Sequence, residues 1–430
     1  MDRKSIIVIG GGPAGMLAAA TAGSRGLRVT LIEQNSKDDG SVHLGRKLRM
    51  TGNGRCNVTN HTDVAGLIAK VVSNGKFLYS AFQHFSAQDT VALLHRYGVM
   101  TKTEQDGKAF PESDRSGDVV DALHRHMSEN HVKTEVGMVK EIRRNESGKF
   151  VIYFDDTHGN DVHGNGLQAQ RPREFDAVVV ATGGKSYPKT GSTGDGYRWA
   201  ASFGHPIIPL RAALVSVILK EQWLQQLQGI SLPDVEISLQ SEQRPGKKIC
   251  KVRGDVMFTH YGITGPAVYM ISSHMKDCEN TQYTLEMDCL PGISREELQR
   301  IIEKEMDINS KRQIIRVLQG ILPKNMILVL LNYLQICYDR YANQITSRER
   351  EKIIETIKKL HLSVHRLRPL TEATVTSGGI DVRTVHPGTM ESKLVEGLFF
   401  AGEVLDVDGY TGGFNIQIAL STGYVAGLHC

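Results

Sequence analysis

Close to the start of the chain a continuously apolar run, Ile6 to Ile9, leads directly into Gly10-Gly11-Gly12-Pro13-Ala14-Gly15. Such a run is expected of a strand buried on both faces. The Ala-rich stretch Met16 to Arg25 predicts a helix ending near Gly26, and Val29 to Ile32 predicts a second strand closed by Glu33. This is one βαβ unit with the spacing that dinucleotide binding requires. Alone, Gly10-x-Gly12-x-x-Gly15 is a weak signal, because glycine triplets arise by chance. Between a strand and a helix, with an acid ending the next strand, it becomes a strong one. Gly10 then permits the tight turn, Gly12 lets a pyrophosphate approach the backbone, and Gly15 lets helix and strand pack closely. The helix N-terminus offers free N–H groups and partial positive charge to phosphates. Glu33 can accept from both ribose hydroxyls and disfavours a 2′-phosphate. The plainer alternative is a glycine turn in an α/β fold that binds nothing.

The rest of the 430-residue chain places this unit in a larger α/β protein. Ser86 starts a predicted helix that Gly98 ends, Asp106-Gly107 predicts a hairpin, and 118–130 predicts another helix. Residues 132–154 alternate like two or three strands, 155–173 read as a solvated polar loop, and Phe175 to Thr182 is a further apolar strand. From about 207 to 291 the pattern is strand-like, and from 294 to 362 helical spacing takes over; after Pro369 strands return. The expected division is 1–206 and 363–430 for the two parts of a split nucleotide-binding domain, 207–293 for an inserted β-rich domain and 294–362 for a helical one.

FAD rather than NAD is indicated at the far end of the chain. The apolar strand Leu398 to Ala401 is followed by Gly402-Glu403, an acid placed to meet a ribityl hydroxyl. Gly412-Gly413-Phe414-Asn415 then opens a helix whose first amides would face the N1/C2=O edge of a flavin, where negative charge gathers on reduction. The alternative here is an acidic loop and an ordinary helix start.

Gly45-Arg46-Lys47 with the block Thr51-Gly52-Asn53-Gly54-Arg55-Cys56-Asn57-Val58-Thr59-Asn60 resembles the bacterial BaiN-like flavoproteins, which include an aminoacetone oxidase. Phe110 to Ser113, Ala181 to Pro188, Thr193 to Gly196, Phe258 to Pro266 and Ala401 to Asn415 carry the same resemblance across nearly the whole chain. It implies a split Rossmann-like FAD-binding domain, an inserted β-barrel-like domain and a helical domain. It also implies FAD contacts at Ala14, Glu33, Arg46, Lys47, Gly52, Val139, Thr182, Gly183, Glu403, Asn415 and Ile416. Arg46 and Lys47 suit the pyrophosphate as cations, and Val139 would offer backbone groups to the adenine edge.

Catalytic groups are less well marked. A flavin reaction needs hydride geometry at N5 and often one proton donor. His260 and Tyr261, in a glycine-flanked loop, are the best-placed polar pair, although His260 could simply cap a turn and Tyr261 pack its ring. Asp406 and Asp408 either line the flavin site or begin a turn. Cys56 has no partner cysteine at C-x-x-C or C-x4-C spacing, so a disulfide-exchanging thiol is not expected. No second Gly-x-Gly-x-x-Gly follows a strand; NADH or NADPH therefore acts as a transient donor, or electrons come from the substrate itself.

Two activities compete. In one, NAD(P)H reduces FAD and the flavin reduces a C=C conjugated to a carbonyl in a small molecule; in the other, an aminoketone is oxidised and O2 takes the electrons. Thr193-Gly194-Asp195-Gly196 is similar to the loop of fumarate-reductase-type flavoproteins, which favours the first. A flavin-binding RNA-modifying or redox-sensing protein is the reading from a different class. With 51 Lys+Arg against 47 Asp+Glu, the net charge is only +4 and no basic run stands out, so no nucleic-acid partner is expected. The six cysteines show neither a disulfide framework nor metal-ligand spacing, and no apolar stretch approaches the ~20 residues a membrane span needs. A cytoplasmic protein without membrane or metal is the expectation.

Overall fold

The structure, a computed structural model, describes residues 3–104, 106–155, 172–243 and 246–430. The chain divides into two compact units, Met1–Arg211 with Thr374–Cys430, and Ala212–Ala373. Most of the polar loop expected at 155–173 lies outside the described residues.

The first unit is built on β1 (Ser5–Ile9), α1 (Pro13–Ser24) and β2 (Arg28–Glu33). Five parallel strands follow the order Leu398–Phe400, Ala177–Val180, β1, β2, Lys133–Val136. Val8 in the middle stands opposite Val179 on one side and Leu31 on the other. All five residues of β1 are buried, which is why its sequence does not alternate. The helix Phe414–His429 packs on α1 at very short range. At Gly423 a Cβ would lie 2.2 Å from the Ala14 carbonyl oxygen, so the contact admits only a hydrogen there. The edge strand of the sheet and this helix both come from the far part of the chain, and the domain is split as expected.

Local signals also hold. Ser86 caps Ala87–Arg96 in a reciprocal capping box with Asp89. Asp106-Gly107 turns between the antiparallel strands Thr101–Thr103 and Lys108–Pro111. Residues 132–154 supply three strands, the last two of which join Arg173–Phe175 in an antiparallel sheet.

The second unit is a closed barrel of six strands: Val217–Leu219, Gly262–Thr264, Cys250–Thr259, Ser231–Ser241, Tyr283–Asp288 and Leu360–Leu367, the last pairing back with the first. Here the structure departs from the expected boundary at 293/294. The helices Arg295–Ile308, Ile314–Leu318, Lys324–Tyr333 and Ser347–Lys358 precede the strand that closes the barrel. Their apolar faces (Leu298, Ile302, Met326, Ile354) share one buried cluster with Ile237, Leu285 and Leu362 of the strands. Lys358 Nζ ties the last helix to the barrel, pairing with Asp288 at 2.7 Å and donating to Leu290 O at 2.9 Å. The β-rich and helical stretches are therefore one unit. No described helix is long and apolar enough to cross a membrane.

Candidate functional site

The turn between β1 and α1 has the geometry that its glycines permit. Gly10 sits at φ +110° with its N–H on Ile32 O at 2.9 Å, and a Cβ at Gly15 would lie 1.9 Å from Gly10 O. Gly12 caps α1 in extended backbone with no side chain over the helix end. Pro13 lacks an N–H, so the first amides offered are those of Ala14 and Gly15. A Cβ at Gly12 would meet nothing within 4 Å, so the cradle is open on that side. An open, amide-lined helix start is what a pyrophosphate requires.

Glu33, at the end of β2, is buried beside this turn. Its Oε2 accepts from Gly11 N–H at 2.7 Å and its Oε1 from Asn35 N–H at 2.9 Å, which fixes the carboxylate's direction. Asn35 Oδ1 accepts from Arg46 Nη1 at 2.6 Å. Arg46 opens α2 (Arg46–Met50) immediately after Gly45, which is in left-handed backbone. Gly137 donates its N–H to Glu33 O at 3.0 Å, so Val139, two residues on, stands near the same end of the sheet. Ala14, Glu33, Arg46 and Val139 are thus gathered around the first turn.

Lys47 has a different setting from the one expected. Its ammonium pairs with Glu403 at 2.7 Å and 2.9 Å and donates to Ser186 Oγ at 2.7 Å. Both side chains are mostly buried, and each charge offsets the cost of the other. Lys47 is therefore Glu403's partner and not a free cation for the pyrophosphate. Glu403 also accepts from Thr376 N–H at 2.8 Å, while Thr376 Oγ1 accepts from Lys185 and Ser186 N–H at 2.8 and 3.0 Å. This network locks the segment Thr182-Gly183-Gly184 after its strand. Gly183 is left-handed at φ +72°, and Thr182 Oγ1 is buried with no partner among the described residues. Gly402 packs against Ala14, bringing the second half of the unit onto the first turn of α1.

Gly413 starts the helix Phe414–His429 at φ +90°, again with no capping side chain. The amides of Phe414, Asn415 and Ile416 consequently have no acceptor within the helix. Asn415's side chain is engaged with Gly409 and Tyr410, so its backbone is what it offers a ligand. Gly52 is exposed in left-handed backbone at φ +57°.

The block from Thr51 to Asn60 has a role that its sequence did not disclose. Oriented so that both ends of its amide are satisfied, Asn57 accepts from Gly413 N–H at 3.1 Å. Thr59 Oγ1 donates to Gln417 Oε1 at 2.6 Å, and Asn60 Nδ2 to Gly412 O at 3.3 Å. A Cβ at Gly413 would come within 2.5 Å of Thr59's carbonyl carbon and oxygen. The block is the seat of the helix start at Gly413. Four of its residues (Gly52, Asn53, Gly54 and Cys56) hold left-handed backbone, which costs the two glycines nothing but strains Asn53 and Cys56, as is found at functional loops. The only advance signal was its unusual density of Asn, Thr and Gly.

Cys56 is fully buried, and burial pushes its thiol up to about 12, which removes it as a redox nucleophile. Asp408 Oδ1 accepts from Ser377 Oγ at 2.7 Å, and Asp406 Oδ2 from Asn74 Nδ2 at 2.9 Å, so both carboxylates are engaged by neighbouring side chains. Burial raises the Asp406 carboxyl above its ordinary value despite that bond. Tyr197, donating to Glu403 O at 3.4 Å, is also raised, first by burial and then by the Glu403 and Asp406 charges. His260 and Tyr261 lie in the second unit, in the turn between two barrel strands. Their rings meet edge to face at 4.9 Å, and the Arg368 guanidinium sits 4.9 Å over the tyrosine ring. Among the described residues, no cluster of His, Cys, Asp or Glu could hold a metal ion.

The sequence profile of the HI0933-like protein Rossmann domain matches residues 4–429. The chain belongs to the HI0933-like Rossmann family. This HI0933-like chain is 30% identical over 424 residues to the 3-dehydro-bile acid delta(4,6)-reductase of Clostridium scindens, a match covering 98% of this chain and 97% of that one. It is 31% identical over 428 residues to the ribosomal RNA dihydrouridine synthase of Escherichia coli, covering 99% and 97%. Among solved structures, 3-ketosteroid delta1-dehydrogenase from Sterolibacterium denitrificans superposes with a TM-score of 0.51 over 99% of both chains at 12% identity, a likeness of fold. The HI0933-like chain is accordingly a flavin-dependent oxidoreductase with a Rossmann-type FAD-binding domain. The open amide cradle, the ribose-side acid and the unpartnered Thr182 hydroxyl fit that cofactor.

Proposed function

We propose that this chain passes a hydride from NADH or NADPH, by way of FAD, to a carbon–carbon double bond conjugated to a carbonyl. What carries the reading is a convergence. Two relatives of nearly equal identity, matched along almost their whole lengths, bear names of ring-saturating reductions on different rings. A 3-oxo group conjugates with a Δ4 double bond, and the uracil C5=C6 bond conjugates with a ring carbonyl. Saturating either bond adds one hydride and one proton across an electron-poor C=C, and in the reaction proposed for this chain NADH or NADPH is oxidised to supply the hydride. An aminoketone oxidase would instead take the hydride from a C–N bond and saturate no C=C.

Bound FAD would supply the two-electron hydride chemistry. The Ala14 and Gly15 amides would hold the pyrophosphate with Arg46 alongside, and Glu33 would take the ribose hydroxyls. Glu403, neutralised in part by Lys47, would accept from a ribityl hydroxyl. The Phe414–Ile416 amides would stabilise negative charge at the N1/C2=O edge. The described residues hold one glycine-opened dinucleotide turn, so nicotinamide and substrate are proposed to use the flavin in alternation. His260 and Tyr261 remain the proposed proton donors. Their test is turnover after His260→Ala or Tyr261→Phe with the flavin spectrum intact, and unchanged turnover removes the assignment.

The deciding experiment is an anaerobic titration of FAD-loaded protein with NADH and then NADPH, followed at the oxidised-flavin absorbance band. Bleaching by a nicotinamide and recovery of the band on adding an enone are expected. A flavin that stays oxidised with both nicotinamides but bleaches with an aminoketone overturns the reading.

A further inference from the structure

The half-buried arginines of the first unit have side-chain partners, with one exception. Arg46 donates to Asn35, Arg49 reaches Asp121 at 3.5 Å, Arg55 pairs with Glu104 at 2.7 Å and Arg173 with Glu135 at 2.6 Å. Arg211 is the exception. It is half-buried, yet its guanidinium has neither an ion pair nor a hydrogen bond among the described residues. It is also the single charged residue of the strand Ile207–Ala213. A guanidinium in that setting has given up water without gaining an acceptor.

The fold carries Arg211 to the cofactor cradle. Its strand pairs with the strand Val375–Ile380. Asp381 N–H donates to Pro206 O at 3.0 Å, and a Cβ at Gly378 would lie 2.3 Å from Pro209 O. The two strands therefore run antiparallel, and Arg211 falls toward Thr376 and Ser377. Thr376 N–H holds Glu403, and Ser377 Oγ holds Asp408. The same strand supports the next acid, since Asp406 N–H donates to Ile380 O at 3.0 Å. The Arg211 charge is felt by the Asp406 carboxyl, yet no neighbouring acid takes it up. Asp406 is bonded to Asn74, Asp408 to Ser377, Asp381 to Arg383 at 2.9 Å and Glu403 to Lys47.

We infer that Arg211 takes the carbonyl oxygen of the substrate whose double bond is reduced. The inference rests on the reductase reading and adds to it the group that holds the conjugated carbonyl. As hydride reaches the β-carbon, the C=C electron pair moves toward the carbonyl, and its oxygen gains the negative charge. A proton from the donor then adds at the α-carbon, and the C=O bond is restored. The substrate is reduced and the nicotinamide of that reading is oxidised. A fixed cation at the oxygen stabilises the charge as it forms more than it stabilises the neutral enone, so it acts on rate. A guanidinium suits the task because it stays protonated and presents its N–H donors in a rigid fork. An isolated alkene or an amine gives such a group nothing to hold.

The test starts from FAD-loaded, full-length protein reduced anaerobically with dithionite, freed of excess reductant and mixed with cyclohexenone, a neutral enone. Return of the oxidised-flavin band is timed. Arg211→Met should slow the saturating rate on the order of 100-fold, the usual loss when one donor to a developing oxyanion is removed. Arg211→Lys should recover part of it, because the charge returns without the fork. A second measurement needs no turnover. The phenolate of para-nitrophenol mimics the charged oxygen and should bind the oxidised holoprotein at least ~10-fold more weakly in Arg211→Met, with the Lys variant between. FAD content and a flavin spectrum equal to the parent's show that both variants are folded. Parent-like rate and phenolate affinity in Arg211→Met overturn the inference. A loss seen only in KM, or only with enones that carry a carboxylate, also overturns it, since Arg211 would then anchor an anion. If the enone reoxidises the parent and Arg211→Met equally, the inference fails and the reductase reading stands; a parent whose reduced flavin is not reoxidised by any enone removes both.

Discussion

Around the glycine-opened start of the helix Phe414–His429 in the first unit, the interior is polar: Asn57, Thr59, Asn60, Thr376 and Gln417 are all buried and hydrogen-bonded. Inside the barrel of the second unit, the positions at the same depth are Val235, Ile237, Leu239, Leu285 and Leu362. A buried hydroxyl or amide must be satisfied in one direction, so the polar region fixes orientation. A buried aliphatic needs only volume, so the barrel supplies stability and tolerates exchange among similar side chains. Substitutions in one region should register in cofactor affinity, and those in the other in folding free energy.

The largest separation is expected from Leu285→Ala, at a fully buried barrel position. It should cost the second unit about 2–5 kcal/mol, read in calorimetry, with the FAD dissociation constant unmoved. A matching loss of FAD affinity would break the contrast. Gly413→Ala makes the opposite test. The left-handed φ and the 2.5 Å approach to Thr59 should together cost roughly 2–3 kcal/mol, read as FAD binding on the order of 100-fold weaker with the barrel's transition unchanged. Glu403→Ala strands the Lys47 ammonium and should weaken FAD by about tenfold, on the order of 1.5 kcal/mol for a charged hydrogen bond. Adding Lys47→Met should recover part of that loss, because both charges then go; no recovery would mean that Glu403 acts on the cofactor alone.

The smallest effect is pH-linked and lies in the second unit. Glu349, bonded to Arg340 and to the N–H and hydroxyl of its N-cap Thr346, has its carboxyl lowered to about 2. A carboxyl lowered on folding contributes stability that is present above its unfolded value of 4.5 and lost as pH falls toward 2. Glu349→Gln should therefore flatten the stability profile between those limits, and Thr346→Ala should cost about 1 kcal/mol at neutral pH. An unchanged acid limb in the Gln variant would show that the bond contributes nothing.

How much of this could be read from the residues follows the same divide. The β1–α1–β2 unit, the Ser86 cap and the Asp106-Gly107 turn were legible because each depends on partners within a few residues. The Rossmann-type FAD-binding domain was legible for the same reason, with the Gly402-Glu403 and Gly412-Gly413 segments marking its return. The barrel's closure was not, since Leu360–Leu367 pairs with Val217–Leu219 across an intervening set of helices that periodicity treats as separate. Nor was the partnership of Lys47 with Glu403, or the seating of Gly413 by Asn57 and Thr59, since each joins residues more than 300 positions apart. Hydrophobic period and turn chemistry report on neighbours along the chain and carry no information about such pairs.

The strand Leu398–Phe400 and the helix opened by Gly413 complete a sheet and a cofactor cradle begun by the first residues of the same unit. During synthesis this has a consequence in time. At about 5–20 residues per second, β1 and its glycine turn emerge tens of seconds before the segments that complete them, and the whole barrel can fold in the interval. A translation arrest just past Ala373 would release a barrel with its full set of strands beside a nucleotide turn that lacks its edge strand and second helix. FAD capture is therefore an event that waits on the ribosome, and incomplete chains should be colourless and dependent on chaperones.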